Sequence, residues 1–141
     1  MGRILAIDYG QKRVGIAVTD PMRIIATALD TIPAKDVFLF LDQYLLKENV
    51  DIIIVGQAKQ MNNTPSTSMK YIDPFFIKLK QKYPTITCLM YDERFTSKMA
   101  LQTMIMAGTK KSDRQNKSTL DKISATILLQ DFMNYIKNNA L

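Results

Sequence analysis

Arg3-Ile4-Leu5-Ala6-Ile7-Asp8-Tyr9-Gly10-Gln11-Lys12-Arg13-Val14-Gly15-Ile16-Ala17-Val18-Thr19-Asp20 opens the chain with two apolar runs on either side of a polar break. The pattern predicts a β-hairpin whose first strand is buried almost continuously. Charge is expensive inside a core, so an Asp ending such a strand has one of two roles. Asp8 is a turn residue, as Asp is in many hairpins, or a carboxylate carried into a central site to meet a metal ion or a phosphate.

Outward from the hairpin, Ile24 to Ile32 predicts a third extended run after a turn at Pro21 to Arg23. Lys35 to Glu48 predicts an amphipathic helix, with Val37, Phe38, Leu41, Tyr44 and Leu45 on one stripe. Asp51 to Gly56 is a short apolar run that suits a buried parallel strand. Gln57 to Ser68 is polar and predicts a loop. Met69, Ile72, Phe76, Leu79 and Tyr83 mark a second helix. Pro74 either kinks that helix or restarts it with Asp73 as N-cap, and the kink is the preferred reading. Thr85 to Tyr91 predicts a fifth strand, and Thr96 or Ser97 a helix through Ala107 closed by Gly108. After a basic loop from Thr109 to Thr119, a last helix is expected from Ser118 or Thr119 to Lys137. Its inward residues would be Leu120, Ile123, Ile127, Leu128, Phe132 and Ile136. Three meandering strands followed by alternating helices and strands imply an α/β fold with a mixed sheet flanked by helices. No repeat or linker divides the chain, so residues 1–141 are expected to form a single domain.

Composition narrows the chemistry. The chain has no histidine, which removes His-dependent triads, His general bases and the usual zinc sites. A bound metal would then sit on oxygen ligands, which favours Mg²⁺ or Mn²⁺. Cys88 is the one cysteine, expected as a small core residue, so no disulfide forms within the chain. No apolar run approaches the roughly 18 residues of a membrane span, and the N-terminus lacks a signal-peptide pattern. Cytoplasmic location without a membrane partner is the expectation. A net charge of +6 suits a polyanionic partner such as nucleic acid, although many basic proteins bind none.

Three acids occupy comparable places. Asp8 ends the first strand, Glu93 follows the last, and Asp121 lies in the first turn of the last helix. If the first and last strands both run into the interior, their C-terminal ends meet at the edge where open α/β sheets bind ligands. Each acid alone has an ordinary alternative. Asp121 completes a capping pattern begun by Ser118, Glu93 can pair with Arg94 at an exposed strand end, and Asp92 is a strand-end residue too. Together they have a shared purpose, because three close carboxylates raise one another's pKa unless cations neutralise them. Two hard divalent ions about 3.5–4 Å apart can activate a water and stabilise the leaving oxygen in phosphodiester cleavage. Ser124 and Ala125 share the Asp121 helix face and would let that helix approach the sheet closely. Lys110, Lys111, Arg114, Lys117 and Lys122 form a basic run beside Asp121, fit either for a phosphate backbone or for a solvated loop. Tyr9 and Tyr91 are expected to pack as core or wall.

The blocks Ile7 to Asp20, Val55-Gly56, Asp92-Glu93-Arg94-Phe95-Thr96-Ser97, and Asp121 followed by Leu128-Leu129-Gln130 resemble the YqgF family nearly end to end. Its members are described as pre-16S ribosomal RNA nucleases and as Holliday-junction-resolvase-like. The resemblance implies a ribonuclease-H-like fold with a mixed five-stranded sheet, three antiparallel strands followed by parallel ones. It also implies a divalent-metal-dependent nuclease, with catalytic and metal-holding roles for Asp8, Glu93 and Asp121. Lys12 and Arg13 match the family's basic pair, placed for phosphate contact. The chain departs from the family at Gln57-Ala58, where Leu-Pro is common, at Asn62-Asn63, and at Ser124-Ala125 in place of two alanines. These changes spare the acids and bear on the loop after the fourth strand. The leading expectation is cleavage of structured RNA at the 5′ end of precursor 16S rRNA, by a monomer or weak homodimer. The rivals are a branched-DNA resolvase, which usually needs two sites on a two-fold dimer, and a nucleic-acid-binding protein without catalysis. An actin-like phosphate loop after the first strand ranks below these, because it needs two lobes.

Overall fold

The computed structural model describes residues 2–57, 69–92 and 117–139, with backbone alone at 57, 69–70, 92, 117–122 and 138–139. Strands β1 (Arg3–Tyr9), β2 (Arg13–Thr19) and β3 (Ala26–Pro33) are followed by a 3-10 turn, Ala34–Asp36. Then come α1 (Val37–Lys47), β4 (Val50–Gln57), α2 (Met69–Lys82), β5 (Thr87–Asp92) and α3 (Lys117–Asn139).

The sheet order is β3-β2-β1-β4-β5. β2 runs antiparallel to both β1 and β3, whereas β4 is parallel to β1 and β5 to β4. The mixed sheet expected from the element order is the one that forms. β1 is central, which explains why Ile4, Leu5, Ala6 and Ile7 are all fully buried. Its alternate residues serve different faces. Leu5 and Ile7, with Val14, Ile16, Ile53 and Val55, pack against α1 and α2 through Leu41, Ile72, Phe75 and Leu79. Ile4, Ala6, Ala17 and Ile54 pack beneath α3 through Ala125, Leu128, Leu129 and Phe132. Ala6 and Ala17 are paired across the hairpin, and Ser124 and Ala125 are buried opposite that face. Small residues on both surfaces thus bring the helix close to the sheet, as their sizes lead one to expect.

Several boundaries differ from the sequence reading. β3 starts at Ala26 rather than Ile24, because the Asp20 carboxylate accepts hydrogen bonds from the Ile24 and Ile25 amides at 2.7 and 2.8 Å. That turn also holds Arg23 at φ 57°, and it leaves Ile24 and Ile25 exposed. The first helix begins at Val37, since the Ala34 amide donates to the Lys12 carbonyl at 2.9 Å and the next residues form the 3-10 turn. α2 is one helix through Pro74, so Asp73 is not an N-cap. Phe75, rather than Phe76, fills its buried stripe. A turn closed by the Ile86 amide on the Tyr83 carbonyl delays β5 to Thr87. α3 starts at Lys117, before the expected Ser118 or Thr119. The expected helix from Thr96 to Ala107 and the loop residues 58–68 lie outside the described residues. Cys88 is half-buried against the α1–α2 core, and burial pushes its thiol pKa up.

The end of the sheet away from Asp8 is fastened by polar groups. Asp51 accepts from the Gly2 amide and pairs with Arg23, and Arg3 pairs with Glu48. On the helical side the Tyr83 hydroxyl donates to Asp42 at 2.7 Å, and Lys82 pairs with the same carboxylate at 3.0 Å. That hydrogen bond, with Lys82 second, holds the Asp42 pKa below its ordinary 3.8. A carboxylate with a lowered folded pKa contributes stability above the unfolded value, and this is lost as pH falls through the folded one. Tyr83→Phe is therefore expected to destabilise the protein at neutral pH, with the difference from wild type shrinking at pH below 3.8. Urea midpoints of the two proteins across that range check this.

Candidate active site

β1 enters the sheet apolar and leaves it polar, which carries Asp8 to the C-terminal edge with its carboxylate half-buried. By strand alternation Asp8 lies on the α3 side with Ile4 and Ala6. Its β2 partner is Gly15. On the other side, one step past the Ile7–Val55 pair, stands Gly56, itself paired with Tyr91 of β5. Asp8 is thus flanked by two positions without side chains, in a row that ends at Tyr91. Oxygen donors at such a place suit a hard divalent cation.

Asp121 is in the second turn of α3, one helical turn before Ala125, and α3 packs on the Asp8 side of the sheet. The first-turn position expected for Asp121 moves because α3 starts earlier. Its backbone position and Asp8 therefore belong to the same layer, and its side chain lies outside the description. Glu93 directly follows Asp92, the last residue of β5, and lies outside the described residues. Among the described residues no three metal-ligating side chains are gathered. Asp8 is the one member of the expected trio with a described side chain.

Lys12 and Arg13 are at the same edge as Asp8. The Gly10 amide donates to the Arg13 carbonyl at 3.0 Å, closing the hairpin turn, and the Lys12 carbonyl is tied to Ala34. Lys12 is exposed and Arg13 half-buried. Gly10 is required by space, since a Cβ there would lie 2.6 Å from the Arg13 carbonyl oxygen. Gly10→Ala is expected to cost about 1–3 kcal/mol through forced backbone movement and, if Lys12 and Arg13 contact phosphates as the family resemblance implies, to weaken nucleic-acid binding by displacing them. Thermal unfolding and a salt titration of binding read the two effects. Lys110, Lys111 and Arg114 lie outside the described residues, and Lys117 is the first residue of α3.

Tyr9 and Tyr91 pack as expected. Tyr9 stacks on Phe75 with ring centroids 4.1 Å apart, and Tyr91 meets Phe132 edge-on at 5.5 Å. The sequence reading missed a groove of about 450 Å³ on the α1–α2 side of the same edge, lined by Tyr9, Lys35, Phe38, Tyr71, Phe75 and Lys78 among others. A signal was present in Tyr71, Phe75 and Lys78 at helical spacing, but the other wall comes from distant segments.

Residues 2–135 match the model of a family described as "RuvX: Holliday junction resolvase". The chain is 54% identical over 133 residues to a protein of Flavobacterium psychrophilum named "Putative pre-16S rRNA nuclease", covering 94% of this chain and 97% of that one. A protein of Bacteroides thetaiotaomicron with the same name is 51% identical, with coverage of 94% and 96%. Among solved structures, Thermus thermophilus RuvC in complex with a Holliday junction substrate aligns with a TM-score of 0.54 at 11% identity, covering 96% of each chain. At that identity the likeness speaks for the fold, which is ribonuclease-H-like.

Proposed function

The chain belongs to the RuvX family, the YqgF family of the sequence resemblance, and from that premise we propose that it processes the 5′ end of precursor 16S rRNA as a divalent-metal-dependent nuclease. The observation that carries the reading is Asp8, a half-buried carboxylate at the C-terminal edge of the central strand, flanked by Gly15 and Gly56 and beside a basic turn. The names of the relatives point to RNA rather than branched DNA.

Asp8, Glu93 and Asp121 would hold Mg²⁺ or Mn²⁺, which when bound supplies Lewis-acid stabilisation of phosphate charge and an activated water. The chain's own part is to position the substrate. Lys12 and Arg13, together with Lys110, Lys111, Arg114 and Lys117, would grip phosphates of the backbone without reading base sequence. Glycines beside Asp8 leave the sugar–phosphate chain room to approach the carboxylate. We place the protein in the cytoplasm, as one nuclease domain working as a monomer or weak homodimer. No described helix is long and apolar enough to cross a membrane.

The test offers purified protein a structured RNA spanning the 5′ end of 16S rRNA and a four-way DNA junction, each with Mn²⁺, Mg²⁺ or a chelator. Metal-dependent cleavage of the RNA is the expected result. Preference for the junction would favour the resolvase reading, and salt-sensitive binding with no cleavage in either metal would leave a binding protein.

A further inference from the structure

We infer that the groove between the 3-10 turn and α2 receives an unpaired nucleobase of the strand held at Asp8. This rests on the nuclease reading and goes beyond it by naming a base-binding subsite. The groove begins where the candidate site ends: Tyr9 follows Asp8 in β1 and points to the opposite face of the sheet. A strand crossing the sheet edge could therefore keep a phosphate at Asp8 and place a neighbouring base on the far side.

The lining suits a base. Half-buried Tyr9 and Phe38 flank Phe75, which lies beneath them at 5% exposure, with Phe38 and Phe75 centroids 5.4 Å apart and the Tyr9–Phe75 rings 13° from parallel. Tyr71 stands at the rim, 42% exposed. Bases present π-faces that stack on aromatic side chains whatever their identity. The charge at the rim is positive. Lys35 and Lys78 line the groove, and the Lys78 ammonium lies 5.0 Å from the Phe38 ring centroid. Lys12 is joined to this lining through its carbonyl bond to Ala34. Cations beside aromatic side chains match a base with its flanking phosphates. The volume of about 450 Å³ lies within the range of small-ligand sites, roughly 300–1,000 Å³.

The experiment uses the full chain carrying Asp8→Asn, so that bound strands stay intact. Its probes are the RNA substrate and the DNA junction, each with a fluorescent purine analogue or an abasic nucleotide at successive positions around the cleavage point. The expected result is quenching at one position, and about ten-fold weaker binding when that position is abasic. Tyr71→Ala should remove the quench, weaken binding of the intact strand by a similar factor, and have no further effect on the abasic strand. Lys78→Ala should weaken both strands alike. Whichever probe gives this pattern identifies whether the base comes from RNA or DNA. Independent, additive effects of the abasic nucleotide and Tyr71→Ala, or no effect of either, would overturn the subsite. If wild type still cleaves with metal under those outcomes, the nuclease reading survives alone. Failure to bind either nucleic acid would remove both.

Discussion

Asp8→Asn is expected to lower metal-dependent cleavage by at least about 100-fold while the protein still folds and binds nucleic acid. The substitution keeps the side chain's shape and removes one negative oxygen donor. A half-buried position at a strand end tolerates this, since the apolar residues Ile4 to Ile7 that anchor β1 are untouched. The stability readout separates a metal ligand from a turn residue. Because the amide keeps the carboxylate's size and shape, the metal-free variant should stay folded with a single cooperative transition. Added Mn²⁺ should raise the wild-type midpoint, because a ligand that binds only the folded state stabilises it. The variant should lose that rise. Single-turnover cleavage and thermal unfolding with and without Mn²⁺ give the answer. Full activity, or an unchanged Mn²⁺ response, would take Asp8 out of the site.

The second large effect is on folding. Leu5→Ala should destabilise the protein by about 2–5 kcal/mol, the usual cost of emptying a fully buried aliphatic position. Leu5 has no exposed surface and is paired with Val18 on β2 and Ile53 on β4, so strands fix its backbone on both sides and limit collapse into the cavity. Against a total stability of about 5–15 kcal/mol this is a large fraction, equivalent to a drop on the order of 10 °C in midpoint. Urea unfolding measures it directly. The folded fraction should retain its cleavage rate per molecule, the reverse of Asp8→Asn. A loss below about 1 kcal/mol would mean that the β1 core is more plastic than its packing implies.

Much of this architecture was legible in advance because the signals are local. An unbroken apolar run at Ile4 to Ile7, ending in Asp8 and a Gly10 turn, reads as a buried strand with a polar group at its end. The alternation of helical stripes and short apolar runs after Pro33 then gave the crossovers that make β4 and β5 parallel. What was illegible depends on partners distant in sequence or on single hydrogen bonds. Ile24 and Ile25 look like strand residues, yet the Asp20 carboxylate takes their amides and leaves the side chains 69% and 62% exposed. Phe75 and Phe76 are adjacent and equally apolar, and it is Phe75 that turns inward, against Tyr9 and Phe38 from distant segments. The aromatic groove draws its walls from β1, the 3-10 turn, α1 and α2, and no local pattern could assemble it. Of the candidate site, the edge position of Asp8 was readable, and the Asp121 position falls in the helix layer on the same side. The acid trio with Glu93 and the basic run were read from position and charge, with alternatives left open, and the catalytic roles of the acids came from the family resemblance.

The cover on one side of the sheet has a consequence for biosynthesis. α3 emerges from the ribosome after all five strands, so a nascent chain complete through β5 carries Ile4, Ala6, Ala17 and Ile54 on a face that α3 has yet to shield. Such a half-finished product is prone to self-association. It is also chemically inert on the proposed mechanism, since Asp121 arrives with the helix that closes the core. Translation would thus couple the moment the chain becomes soluble to the moment it can first cut.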